Sequence, residues 1–327
     1  MGECIVMKKQ LIMAAIVGFV LNSPALAQDN YPSRTVRIIV PYTPGGITDI
    51  LARIAAEGLS KAMGQPFIVE NRAGGGTSIG TRAVVTAPAD GYTLLMGTTV
   101  LSINPHLMAN LDYDARKDLV PVINMGETIG VIAVPPNSPA KTLGELVAID
   151  KARPGQLSFG TAGPGSVGHI AGEAFNQSQA TKFVHVPYRG SSPLLNDALG
   201  GHIPVIIDGL ITMLPSIQAE KLRPLAILQS KRTELLPDVP TSAEAGYPEL
   251  LTLTYFGILA PRGTPAAVVT KLNAEINRIL QQTDVQQKIK QQGGVLVGGS
   301  PDEFATLIDK TTKLYGDVIK KANITAD

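Results

Sequence analysis

The 327-residue sequence has no tryptophan, only 5% aromatic residues and a single cysteine, Cys4. Absent tryptophan argues against a carbohydrate site built on indole platforms. With its one cysteine ahead of any folded segment, the chain has no disulfide, thiol nucleophile or cysteine metal ligand beyond that point. An excess of one charge is missing too. The 28 Lys+Arg residues face 27 Asp+Glu, without a charge run or a basic stripe. Nucleic acid and anionic membrane surfaces are therefore poor partners. No apolar run reaches the roughly 20 residues that span a bilayer.

What the chain does have begins at its start. Lys8 and Lys9 precede an apolar run, Leu11–Leu21, and Ala25-Leu26-Ala27 follows before Gln28. A basic start, a short apolar core and an Ala-x-Ala end predict a signal peptide over 1–27 and a mature chain from Gln28. The run is too short for a retained anchor. Cys4 precedes it and is not placed as a lipoprotein cysteine. Met7 is an alternative initiator. Loss of 1–27 removes Lys8, Lys9 and Glu3, which leaves 26 residues of each sign.

About 300 mature residues suggest two domains or one large one, held by an apolar core rather than by disulfides. Short apolar runs alternate with helical patterns: Thr35–Tyr42, Pro66–Glu70, Tyr92–Gly97, Val131–Val134, Leu157–Thr161, Phe183–Tyr188, Ile203–Asp208 and Leu222–Leu228 read as strands. Helices are predicted over 48–63, 77–86, 142–152, 166–177, 191–199 and 213–221. This alternation implies an α/β fold with parallel sheets. After a strand at Leu253–Leu259 come three helical stretches, 265–282, 284–292 and 301–322, which need a sheet to pack on. The first sheet is the natural one. The chain then leaves a discontinuous first domain (28–127 and 252–327) near Met125–Ile132, forms a second domain (128–251), and returns near Leu251–Gly257.

Three strand-to-helix turns are rich in glycine: PYTPGGITD at 41–49, NRAGGGTSIG at 71–80 and GTAGPGSVG at 160–168. Glycine lets backbone approach a ligand, and a helix start offers unpaired N–H groups and a positive dipole end. Together they hold a carboxylate or phosphate without a lysine. Each turn is equally readable as a plain helix cap, since Thr48, Thr77 and Ser166 are good capping residues. Three such turns favour a shared anion site. GPGSVG at 163–168 matches the dinucleotide fingerprint, but Tyr188 and Arg189 stand where that motif needs an acidic residue. His106, His169, His185 and His202 lack metal-site spacing. Ser166 and His169 have no orienting third group, and no nucleophile elbow occurs. Asp208 ends the apolar strand VIIDG, either at a ligand-facing edge or as a turn former before Gly209.

Several long motifs carry a resemblance: VPYTPGGITD, VENRAGGGTSIGTRAVVTAPADGYTLLMG, INPHL, GTAGPGSVGHIAGEAF, VHVPYRGSSPLLNDALGG, LPDVPTSAEAGYP and FGILAPRGTP. In order and spacing, over essentially the whole mature chain, they resemble the Bug family of extracytoplasmic solute-binding receptors of tripartite tricarboxylate transporters. The resemblance implies a two-domain Venus flytrap, each domain a mostly parallel sheet flanked by helices, with the ligand cleft between them and crossing strands as a hinge. It implies a periplasmic, monomeric receptor that captures an organic acid for membrane permease subunits, without catalysis or cofactor. The carboxylate would be held by backbone amides and bridging waters.

Carried over by position, the first-domain loop is Tyr42, Thr43, Gly45, Gly46, Ile47, Thr48 and Asp49. The second-domain loop is Thr161, Ala162, Gly163, Gly165 and Ser166, with His169 nearby. Thr99, Asp208 and Tyr255 complete the candidate ligand-binding set. Tyr42, Thr43 and Ile47 replace residues that are often Phe, Pro and Ser or Gly in the family, and Tyr255 stands where Trp is frequent. Tyr42, Ile47 and Tyr255 suggest a flatter, more apolar wall and thus an aromatic or largely apolar mono- or dicarboxylate. Alternatively Ile47 points into the domain core. Competing readings are a receptor for an aliphatic di- or tricarboxylate or an amino acid, a sensor partner of a signalling system, and a secreted hydrolase.

Overall fold

Two mixed sheets, each wrapped by helices, organise the protein. The structure is a computed structural model that describes residues 31–325 apart from 109 and 292. The expected signal peptide lies outside the described residues. No helix among those described is long and apolar enough to cross a membrane. From Arg34 onward the chain is one compact unit.

Its first part runs β1 (Val36–Val40), α1 (Ile47–Met63), β2 (Phe67–Asn71), α2 (Ser78–Val85), β3 (Thr93–Thr98), α3 (Val100–Leu107), the single turn α4 (Ala115–Asp118) and β4 (Leu119–Thr128). The middle runs β5 (Gly130–Val134), α5 (Leu143–Ala152), β6 (Ser158–Thr161), α6 (Val167–Gln179), β7 (Val184–Pro187), α7 (Ser191–Leu199), β8 (Val205–Gly209), α8 (Leu210–Gln218) and β9 (Arg223–Ile227). The chain returns through β10 (Thr254–Pro261), α9 (Ala266–Leu280), α10 (Thr283–Gln291), β11 (Gly294–Gly298) and α11 (Pro301–Ala322).

One sheet has the order β11-β4-β10-β3-β1-β2 and the other β7-β6-β8-β5-β9. The βαβ alternation is parallel as expected in β2-β1-β3 and in β7-β6-β8. The strands nearest the crossings depart from it. β10 runs antiparallel to β3 and β4, and β5 runs antiparallel to β8 and β9. A strand that arrives from the other sheet needs no right-handed helical crossover, so an antiparallel partner is open to it. Strands β4 and β11 and helix α3 had no strand or helix assignment from sequence. Pro121, the glycine pairs around 294–298 and Pro105 obscured them.

Local signals explain the helices that frame the later argument. α1 buries Leu51, Ala55 and Leu59 at four-residue spacing and ends at Gly64, whose φ of 69° closes the left-handed cap. α11 starts on a capping box of Ser300 and Glu303, with Pro301 in its first turn. It packs on α3 and α6, so Ile103, Val167, Ile170, Tyr315 and Ile319 form one buried cluster across the two halves. Larger cores lie on the two faces of the second sheet and behind β3 and β10 of the first.

The chain crosses between sheets at Ile129 and again between β9 and β10, and the crossings lie side by side. Gly130 N–H donates to Thr252 Oγ1 (3.1 Å), Leu228 N–H to Gly130 O (2.8 Å) and Thr252 N–H to Leu228 O (2.9 Å). Tyr315 of α11 ties in here: its hydroxyl accepts from Leu253 N–H (2.9 Å) and donates to Leu253 O (3.0 Å).

Candidate functional site

The carboxyl end of β1 turns through Thr43 to Gly46 into α1. Asp49 and Asn71 hold that turn from behind. Asp49 accepts from Gly45 N–H (3.0 Å), Arg53 Nε–H (2.8 Å) and Asn71 Nδ2 (3.0 Å), and Asn71 also donates to Tyr42 O (3.1 Å). Burial works against ionisation of Asp49, but Arg53, Gly45 and Asn71 outweigh it and hold the carboxyl below its usual range. The carboxylate is thus more acidic folded than unfolded. Its stabilisation is present in full above the unfolded value and is lost as pH falls through the folded one. Asp49→Asn is expected to cost about 1–2 kcal/mol at neutral pH, discounted because Arg53 is half exposed. Urea unfolding of wild type and variant should show that gap closing in acid. A gap that persists in acid would show that the ion pair does not hold the turn.

With Asp49 turned to the turn's own backbone, no side chain caps α1, whose N-cap is Gly46. Thr48 is therefore a first-turn residue and not the cap. Its N–H and those of its neighbours have no intrahelical acceptor. A cavity of about 60 Å³ opens at this helix start, lined from the first sheet's side by Tyr42, Thr43, Gly46, Ile47, Thr48, Thr98, Thr99, Val100 and Phe256. From the second sheet's side come Ala162, Ser166, Val167, Gly168, Ser191, Ile207, Asp208 and Gly209. Thr128, Gly130, Thr252 and Thr254 of the crossings form its floor.

Five helices contribute their first residues or N-caps to this wall: α1, α3, α6, α7 and α8. Of these, only α6 is capped by its own N-cap side chain, Ser166 Oγ accepting from His169 N–H at 3.2 Å, while Thr98 Oγ1 accepts from Val100 N–H of α3 (3.4 Å) and Thr128 Oγ1 from Ile211 N–H of α8 (3.5 Å). No lysine or arginine lines the cavity. Positive potential there comes from helix termini alone. The single carboxyl group is Asp208, pushed up to about 6 by burial against hydrogen bonds from Ser191 and Gly209. Tyr42 donates to or accepts from Thr98 Oγ1 (3.0 Å), and burial raises its pKa far above neutral.

Nine of the sixteen candidates line the cavity: Tyr42, Thr43, Gly46, Ile47, Thr48, Thr99, Ala162, Ser166 and Asp208. Seven do not. Gly45 and Asp49 build the first turn from behind. Thr161, Gly163, Gly165 and His169 brace the second. Gly165 N–H donates to His169 Nδ1 (3.2 Å), the His169 ring stacks on His185 at 4.1 Å, and His185 Nε2 meets Thr161 Oγ1 at 2.7 Å. Gly163 and Gly165 have φ of 135° and 69°, and a Cβ on Gly165 would stand 2.7 Å from Asn104 Oδ1. They are glycines because backbone passes close here.

Tyr255 is the plainest correction. It is fully buried behind β10, edge-on to Phe304 (5.3 Å), with its hydroxyl 3.1 Å from Ser102 Oγ. Side chains alternate along a strand, so the neighbour Phe256 faces the cavity instead. The glycine turn at 71–80 also stands apart from this cavity. Asn104 Nδ2 donates to Gly76 O (2.9 Å), and the turn borders a second, more open hollow beyond Tyr42 and Ala162. Sequence reading missed Thr128, Gly130, Thr252, Thr254 and Phe256, although all fall inside the expected crossings. Ser191 follows the motif VPYRG and was equally within reach.

A two-sheet fold with a cavity at the crossings, walled by helix N-termini, is shared with solved periplasmic binding proteins. Residues 51–324 match the model of the tripartite tricarboxylate transporter family receptor, and the chain belongs to that family, in which the Bug proteins fall. It is similar to Protein BugT of Bordetella pertussis (strain Tohama I), with 36% identity over 94% of this chain and 97% of the relative. Among solved structures it is similar to R. palustris Rpa4515 with adipate, at 35% identity and TM-score 0.86 over 90% of this chain and 99% of that one. It is also similar to MatC from Rhodopseudomonas palustris with bound malate, at 31% identity and TM-score 0.85 over 88% and 100%.

Proposed function

We propose that this protein is exported to the periplasm, with cleavage after Ala27, and there captures an organic carboxylate for the permease subunits of a tripartite tricarboxylate-type transporter. The observation that carries the reading is the convergence of five helix N-termini on one cavity without a cationic side chain. Such a wall binds anions through main-chain N–H groups. The head of the acid sits at the amides of Gly46, Ile47 and Thr48 and of Val167 and Gly168. The partition is a discontinuous first domain, 28–127 with 252–327, and a second domain, 128–251. The paired crossings act as the hinge, and closure is favoured by the bound acid. The protein carries out no chemistry on its ligand.

Tyr42, Ile47, Val100, Val167 and Phe256 give the cavity an apolar side. A cavity set between the two sheets with an apolar side and a few polar groups suits a small molecule and not a polymer. We therefore favour an aromatic or largely apolar mono- or dicarboxylate. Adipate, found with the R. palustris relative, has this character. A thermal-shift screen of organic acids is expected to show a hit, because a ligand at 100 times its Kd stabilises by about 2.7 kcal/mol. Calorimetry then compares benzoate and phthalate with citrate, malate and glutamate. Tight binding of the second group alone would overturn the apolar preference while leaving the receptor assignment standing.

A further inference from the structure

Asp208 sits awkwardly in a cavity meant for an anion. It ends β8 between the N-termini of α7 and α8 and lines the wall. Its Oδ2 is sealed from water and has no hydrogen-bond partner among the described residues. Asp208 lines the same cavity as Gly46, Ile47, Thr48, Val167 and Gly168, with no lysine or arginine in that lining, so a carboxylate seated at their amides shares the site with it. Two carboxylates confined to one site cannot both stay ionised, and one of them holds a proton. We propose that the receptor captures its acid together with one proton, held between the Asp208 carboxyl and an oxygen of the ligand. This rests on the reading of the cavity as a carboxylate site.

The exchange balances simply. Ionised Asp208 in the empty site takes one proton from solvent as the carboxylate enters. The new carboxyl O–H donates to the ligand's anionic oxygen in a short charge-assisted bond. Burial already raises the group to about 6, and the entering anion raises it further. The other groups near it leave the assignment clear. From β5, Val131 is its strand partner, and Ser191 of α7 and Gly209 at the end of β8 bear no charge. Tyr42, across the cavity, stays neutral. On α6, His169 stacks on His185 and lines no part of the cavity. Asp49 and Arg53 of α1 neutralise each other, and Glu127, before the crossing, bonds Asn124 Nδ2.

The test is calorimetry of the full mature chain with adipate, malate, benzoate and phthalate. Each is titrated at about pH 7.5 in two buffers of different ionisation heat, and affinity is followed from about pH 5 to 8.5. Every acid that binds is expected to bring close to one proton. Its affinity should weaken above neutrality, approaching tenfold per pH unit. Asp208→Asn, its folding checked by melting, should bind without proton uptake and without that slope, more tightly than wild type at high pH. Binding by wild type without proton uptake would overturn the proposal and leave the receptor reading intact. So would affinity that falls on acidification, the mark of an ionised Asp208 accepting from a ligand donor. Uptake that persists in Asp208→Asn would place the proton on the ligand and equally overturn it. If none of the four acids binds at any pH, the receptor reading itself fails.

Discussion

Gly46→Val is expected to give a folded protein that no longer holds a carboxylate. Gly46 is the N-cap of α1 with φ −80° and ψ 171°, a conformation open to any L-residue. A Cβ there meets nothing closer than Ser191 Cβ and Ser192 Oγ, both at 3.9 Å, so the first carbon fits. The two valine methyls beyond it reach further into the cavity that Gly46 lines. They fill the gap between the α1 turn and α7, where the anion and the approaching main chain would be. The melting temperature should stay within a few degrees of wild type, while affinity for whichever screened acid binds falls at least about 100-fold, or roughly 2.7 kcal/mol. Gly46→Ala should fall between. The neighbouring Gly45 is a poorer test, since its φ of +90° strains any side chain and mixes folding with binding. A folded Gly46→Val protein with undiminished affinity would move the site away from α1.

Tyr255→Ala should show the opposite pattern, losing about 3–5 kcal/mol of stability, as large aromatic truncations in cores do. Its ring is wholly buried against Phe304, and its hydroxyl joins Ser102 and Thr311 in a sealed polar cluster. Tyr255→Phe isolates the hydroxyl. It leaves Ser102 with Thr311 as partner and is expected to cost about 1 kcal/mol. Neither change should alter the affinity of the folded fraction more than a few-fold, whereas Phe256→Ala should weaken an apolar acid markedly. Chemical denaturation and calorimetry on the three variants separate these effects. Loss of binding by a stable Tyr255→Phe protein would put that ring back in the site.

These two cases show where the sequence was legible. The βαβ rhythm and the glycine turns before α1 and α6 are local signals, and each placed its element within a few residues. Facing is not local. Tyr255 and Phe256 are both aromatic on an apolar strand, and only the register of β10 against β3 and β4 decides which meets the cavity. The glycines of 71–80 resembled those of 41–49 because close backbone contact and anion binding ask for the same residue. His169 and Thr161 were drawn in by nearness in sequence to Ser166, yet they serve as the brace behind it. The wall from α7 and α8 was hidden because Ser191 and Gly209 are ordinary helix-start residues. Their significance lies in converging with three other helix ends.

The long helix α11 carries a consequence for timing. Ile103 comes from the first sheet's side, Val167 and Ile170 from the second's, and Tyr315 and Ile319 of α11 close over them. If the crossings open as a hinge, this seam must slide or part, and water then meets apolar surface at a cost of roughly 25 cal/mol for each Å². That cost is the same whichever acid is inside. The barrier to escape therefore has a part set by the helix and not by the ligand. Acids of quite different affinity should share a slow component in their departure, and small residues in place of Ile319 and Ile170 should shorten residence times for all of them together.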